Sequence, residues 1–201
     1  MGIAKILKSA ALAVVIGGAG APAALAATFN GVFSLSGSSF SEPGLVVATS
    51  TQSGSVGFQL NTAGQSTTFD LFDIWTDENR ANGNNTRTSS LVAAFTFAGI
   101  GASGSASGST TGHGGATNYA SLVWGAPLLL NFGNGGVLSI VLGNANFGYG
   151  AGRFGQGQAN GATIQATATL VATPVPLPAS GLALIAALGG AGLVARRRRT
   201  A

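Results

Sequence analysis

The sequence predicts an all-β domain, an antiparallel β-sandwich of jelly-roll-like kind, between a signal helix and a transmembrane helix. Short apolar runs from residue 28 to 171 are broken every eight to twelve residues by Gly, Ser, Asn or Thr, the spacing of a sandwich or barrel. No segment between the ends shows convincing helical periodicity. Several runs alternate strictly, as half-buried strands do.

In "TFNGVFSL", Phe29, Phe33 and Leu35 share one face, with Asn30, Val32 and Ser34 on the other. Strands are expected next at residues 45–49, 56–60 and 67–75. "LVAAFTF" groups Leu91, Ala93, Phe95 and Phe97, and strands follow at 119–124 and 128–132. "GVLSIVLG" groups Leu138, Ile140 and Leu142. "ATIQATATLV" sets Ile164, Ala166, Ala168 and Leu170 against Thr163, Gln165, Thr167 and Thr169. Eight or nine strands suit two packed sheets. A glycine-rich β-solenoid would need a fixed repeat, and none is present. Residues 99–118 and 148–161, rich in Gly, Ser and Asn, are expected as surface loops.

The two ends distort the composition. The chain has 201 residues, 33 glycines, no cysteine and a formal charge of +4. Six of its nine basic residues are Lys5, Lys8 and Arg196, Arg197, Arg198 and Arg199. The body sets three arginines against five carboxylates, a formal −2. Nucleic-acid binding needs clustered cations and is set aside.

Residues 1–26 form a signal peptide: two lysines, an apolar core, then Ala24-Leu25-Ala26, with cleavage expected between Ala26 and Ala27. Export by the Sec machinery follows, and without cysteine no disulfide can staple the domain at 27–172. The alternative is an uncut anchor or a buried helix.

Residues 173–201 read as a sorting tail. Pro174, Pro176 and Pro178 enforce an extended segment. The apolar run at 179–195 just spans a bilayer core, and the four arginines hold its end in the cytoplasm. Val175-Pro176-Leu177-Pro178-Ala179-Ser180, the apolar run and the arginine cluster together closely resemble the PEP-CTERM sorting signal of Gram-negative bacteria, more narrowly its VPLPA-CTERM variant. The commoner pattern has Glu where Leu177 stands. The resemblance covers about the last 27 residues. It implies recognition by an exosortase, a membrane-embedded cysteine transpeptidase, after a stay in the inner membrane, and release to the cell exterior, often among exopolysaccharide. "LPASG" also resembles the LPxTG signal of Gram-positive sortases, with Ser180 for Thr; an uncut anchor holding a periplasmic domain is the third option.

Catalytic parts are scarce, and no enzymatic role and no cofactor are expected. Residues 150–155 match G-x-G-x-x-G without the helix that a dinucleotide site requires. His113, the single histidine, falls in an expected loop, and a triad needs it held by packing and an acid. Asp70 and Asp73 point to opposite faces of a regular strand, which is poor placement for a glycosidase pair. Asp77 and Glu78, near Asn79, Asn82 and Asn84, are candidate calcium ligands, or simply turn residues. Trp75, Trp124, Tyr119 and Tyr149 are candidates for an aromatic platform for sugars, but Trp75 and Trp124 are expected in the core, and Tyr149, between glycines, outside it. The address is a cell-surface or extracellular one, and the role is structural, beside exopolysaccharide or biofilm matrix. The alternative is a secreted module that binds a glycan or calcium.

Overall fold

Alternation of large apolar with small polar residues decides the fold. The computed structural model describes residues 27–175. In chain order the strands are β1 (Ala27–Ser36), β2 (Ala48–Thr49), β3 (Ser53–Leu60), β4 (Ser66–Trp75), β5 (Ser89–Phe97), β6 (Ala102–His113), β7 (Thr117–Trp124), β8 (Leu128–Phe132), β9 (Gly136–Leu142), β10 (Ala145–Ala151) and β11 (Ala162–Ala172). They form a six-stranded sheet in the order β10-β7-β6-β5-β1-β3 and a five-stranded sheet in the order β2-β4-β11-β9-β8. Every pairing is antiparallel. Residues 27–175 are therefore all-β and sandwich-like, with one apolar core drawn from both sheets.

The strand order differs from a jelly roll, whose two Greek keys keep successive strands apart. Here β5, β6 and β7 form a meander in one sheet, and β8 and β9 a hairpin in the other. Short turns at residues 98–101 and 114–116 make nearest-neighbour pairing the easier solution.

Phenylalanines join the layers. Phe29 on β1 meets Phe132 on β8 edge to face at 5.5 Å, and Phe58 on β3 stacks on Phe69 of β4 at 5.5 Å. Phe33 faces Phe72 at 6.4 Å. Such pairs add specific geometry to the burial of large apolar area. The predicted inward faces of β1, β5, β9 and β11 are all buried.

Three expectations fail in instructive ways. Residues 99–118 are not a loop: most of them form β6, and β10 takes the start of the second expected loop. On β6 the even positions from Ala102 to Gly112 face the core and the odd ones face solvent, apart from minor partial burial. Glycine faces inward because neighbours fill the space: a Cβ at Gly104 would lie 2.9 Å from both Leu128 Cδ1 and Leu130 Cδ2. Asp70 and Asp73 also share a face. A bulge between Ile164 and Gln165 opposes Phe72 to Ile164 and Asp70 to Gln165, leaving Leu71 unpaired and buried. Finally, Trp124 is buried as expected, but Trp75 is half-buried on the outer side of β4.

Both ends of the described chain leave from the same end of the sandwich. Ala27 pairs with Leu60, and the following 61–65 turn is tied to β11, with Gly64 N–H donating to the Leu170 carbonyl at 2.7 Å. Val175 N–H donates to the Asn134 carbonyl at 2.8 Å, in the β8–β9 turn. Turns at 61–65, 98–101 and 133–135 carry no charge. Glu42, Asp77, Glu78, Arg80, Arg87 and Arg153 sit in loops at the opposite end.

Candidate functional site

The charged end is a built cap. Thr76 is fully buried and its Oγ1 donates to the Val46 carbonyl at 2.8 Å while accepting from Glu78 N–H at 3.1 Å. Phe154 N–H donates to the Asn79 carbonyl at 2.9 Å, and Gln156 Nε2 to the Asp77 carbonyl at 2.6 Å. Asn85, 1% exposed, donates through Nδ2 to Glu78 Oε2 at 3.1 Å and to the Arg80 carbonyl at 2.9 Å. These bonds knot the 76–88 and 152–161 loops together. Two acceptors around Nδ2 fix the amide's orientation, because a flip would set Oδ1 against a carboxylate and a carbonyl.

Asp77 and Glu78 line an open cleft of about 280 Å³ with Val46, Val47 and Ala48. The structure brings these two candidate ligands together but not the neighbouring asparagines. Asn82 Oδ1 accepts from the N–H groups of Asn84 and Asn85 at 2.8 and 3.1 Å, an Asx-type turn. Calcium takes six to eight oxygens, and among the described residues no group of three or more His, Cys, Asp or Glu could hold a metal.

Asp70 and Asp73 stand on the outer face of the five-stranded sheet. Gln165 Nε2 donates to Asp70 Oδ1 at 2.9 Å; Thr163 Oγ1 and Gln158 Nε2 donate to the two oxygens of Asp73 at 2.7 and 3.0 Å. Both carboxylates are thus held as surface hydrogen-bond acceptors.

Of the four aromatic residues that the sequence offers as a platform, Tyr119 and Tyr149 do meet, and His113, which the sequence reading left out, joins them in a ladder. His113 pairs with Tyr119 across β6 and β7, their rings stacked at 4.5 Å and 15°. Tyr119 stacks in turn on Tyr149 of β10 at 5.4 Å and 16°. His113 Nε2 lies 2.8 Å from Ser121 Oγ. That contact resembles the nucleophile–base half of a serine site, and it lies within the paired strands β6 and β7. Tyr149, 55% exposed, closes the ladder at the sheet margin. The signal that could have found it is the period-two spacing of Thr111 and His113 with the serines before them.

Around this ladder spreads an uncharged surface. The outward positions of the six-stranded sheet include Ser34, Thr96, Ser103, Ser105, Ser107 and Ser109, and none of its solvent-facing residues is Asp, Glu, Lys or Arg. Val32 and Val123, 56% and 49% exposed, are large apolar residues on the same sheet.

Of the predicted terminal sites, Ala27 opens β1, and Val175 is the last described residue, 66% exposed. Ala24, Ala26, Pro176, Leu177, Pro178, Ala179, Ser180 and the arginine cluster at 196–199 lie outside the described residues, as do both expected terminal helices. Among the described residues no helix is long and apolar enough to cross a membrane. Compared with known proteins, the chain matches no family model, no curated protein and no solved structure.

Proposed function

We propose that this chain is an exported, non-catalytic surface or matrix protein, with a tail processed by an exosortase-type enzyme and a β domain that contacts hydrated, uncharged exopolysaccharide. The observation that carries this reading is the charge-free, hydroxyl-lined outer face of the six-stranded sheet. Neutral glycan chains present hydroxyls and weakly apolar ring faces, and a surface of Ser and Thr with exposed Val32 and Val123 offers both kinds of contact without the desolvation cost of a charge. The common exit of Ala27 and Val175 agrees with a domain delivered at a membrane by both ends, its charged cap pointing away.

Retention on an insoluble neutral glucan tests the glycan contact. The wild-type protein is expected to be retained, and Ser105→Lys with Ser107→Lys to be released while remaining folded. Wild-type flow-through would remove the glycan contact. A second reading, a glycan- or calcium-binding module, is favoured by the ordered cap and by exposed Tyr149. It predicts that retention depends on Tyr149 or on added calcium rather than on the serines.

A further inference from the structure

Four strands end the two sheets, and they are not equally guarded. Exposed edges invite pairing with other chains unless charge, proline, bulges or brevity prevent it. β10 is guarded by a register shift between Phe147 and Gly150 and by a fold-back in which Gly155 N–H donates to the Gly148 carbonyl at 2.9 Å. β2 has two residues. It leaves residues 66–72 of β4 open, but there Asp70 supplies a charge. β8 has five residues and starts directly after Pro127.

β3 has none of these devices. Its eight residues, "SGSVGFQL", pair with β1 in unbroken register and contain no charge and no proline. Thr51 Oγ1 accepts from the Ser53 N–H and donates to the Ser53 carbonyl, so the open edge is residues 54–60, about 24 Å at roughly 3.4 Å per residue. Its solvent-facing side chains, Ser55 and Gln59 among them, are exposed.

We infer that β3 is a self-association edge, pairing antiparallel with β3 of a second copy of this chain and joining two six-stranded sheets into one. The missing charge is what selects a second copy. In a two-fold pairing each side chain meets the same strand reversed, so any net charge on the edge would oppose itself. An uncharged strand avoids that repulsion, while Asp70 imposes it on β4. One strand pair buries less than a constitutive dimer interface, so the contact forms where copies are concentrated, as on a surface or in a matrix. The inference stands on the edge alone and does not depend on how the tail is processed.

The native chain lacks cysteine, which makes single-cysteine cross-linking clean. Ser55→Cys and Gln59→Cys would be introduced separately into the full-length chain, expressed in an exporting host and treated with a short flexible bis-maleimide. Asn131→Cys on β8 and Ser105→Cys in mid-sheet serve as controls. A several-fold excess of covalent dimer at the β3 positions over both controls is expected, with loss of that excess when Ser55→Lys is added to Gln59→Cys. Protease resistance of each variant would show that it has folded. Equal cross-linking at Asn131, persistence of the dimer with Ser55→Lys, or cross-linking of β3 to a different protein would overturn the inference.

Discussion

Gly108 on β6 lies under the indole of Trp124, its partner on β7: a Cβ at position 108 would stand 2.6 Å from Trp124 Cε3 and 3.0 Å from Cδ2. Alanine normally suits a strand better than glycine by about 0.5–1 kcal/mol. Here the ring must move instead, and overpacking of about 1–3 kcal/mol wins. Gly108→Ala should therefore lower the urea midpoint, read by tryptophan fluorescence, whereas Ser107→Ala on the outer face should change stability by less than about 0.5 kcal/mol. A stabilised Gly108→Ala would contradict the packing described.

Phe29 is fully buried and touches Phe58, Phe97 and Phe132, so it binds three strands of one sheet to the edge of the other. Phe29→Ala should cost about 3–5 kcal/mol, a large share of a typical domain's stability of about 5–15 kcal/mol. Chemical denaturation measures it. A loss below about 1 kcal/mol would mean that the two layers do not share this core.

Asn85 holds the cap through Glu78 and the Arg80 carbonyl. In Asn85→Asp a buried carboxylate would face both acceptors, and burial and like charge both raise a carboxyl's folded pKa above its unfolded value. A raised carboxyl pKa means that the folded state binds the proton more tightly, so the variant's stability deficit should shrink as pH falls. Thermal melts of variant and wild type across pH 7 to 4 check the direction. A deficit that grows on acidification would show that the cap does not depend on this amide.

With only Asp77 and Glu78 converging in the cleft, and Glu78 already engaged by Asn85, calcium should bind weakly. Addition of about 1 mM calcium is expected to stabilise the protein by less than about 0.5 kcal/mol. A larger rise in Tm, lost in Asp77→Asn, would restore the calcium-binding alternative.

The parts legible in the sequence were those where large apolar residues mark the buried face. Ile164, Ala166, Ala168 and Leu170 on β11 face inward as their alternation requires, and so do Leu91, Ala93, Phe95 and Phe97 on β5. β6 was hidden because its inward positions are Ala, Gly and Thr, small enough to lie beneath Leu128, Leu130, Trp124 and Phe154. Its period of two was present, but composition suggested a loop. Distant packing, invisible locally, explains the glycines. The same limit misplaced His113, which is held by Tyr119 and Ser121 across the strand pair. One bulge at Leu71 moved Asp70 and Asp73 onto the same face, and bulges leave no fixed signature in an apolar run. Among the candidate ligands, proximity in sequence did bring Asp77 and Glu78 to one cleft.

The most direct test of the proposed function is the intact mass and cell fraction of the protein in its own host, beside a variant lacking the apolar run and Arg196–Arg199. The account predicts that the full-length chain yields a product outside the cell with a mass ending near Pro178 or Ala179, and that the truncated form fails to follow the same route. Protein retained in the inner membrane with Ala201 intact would contradict it.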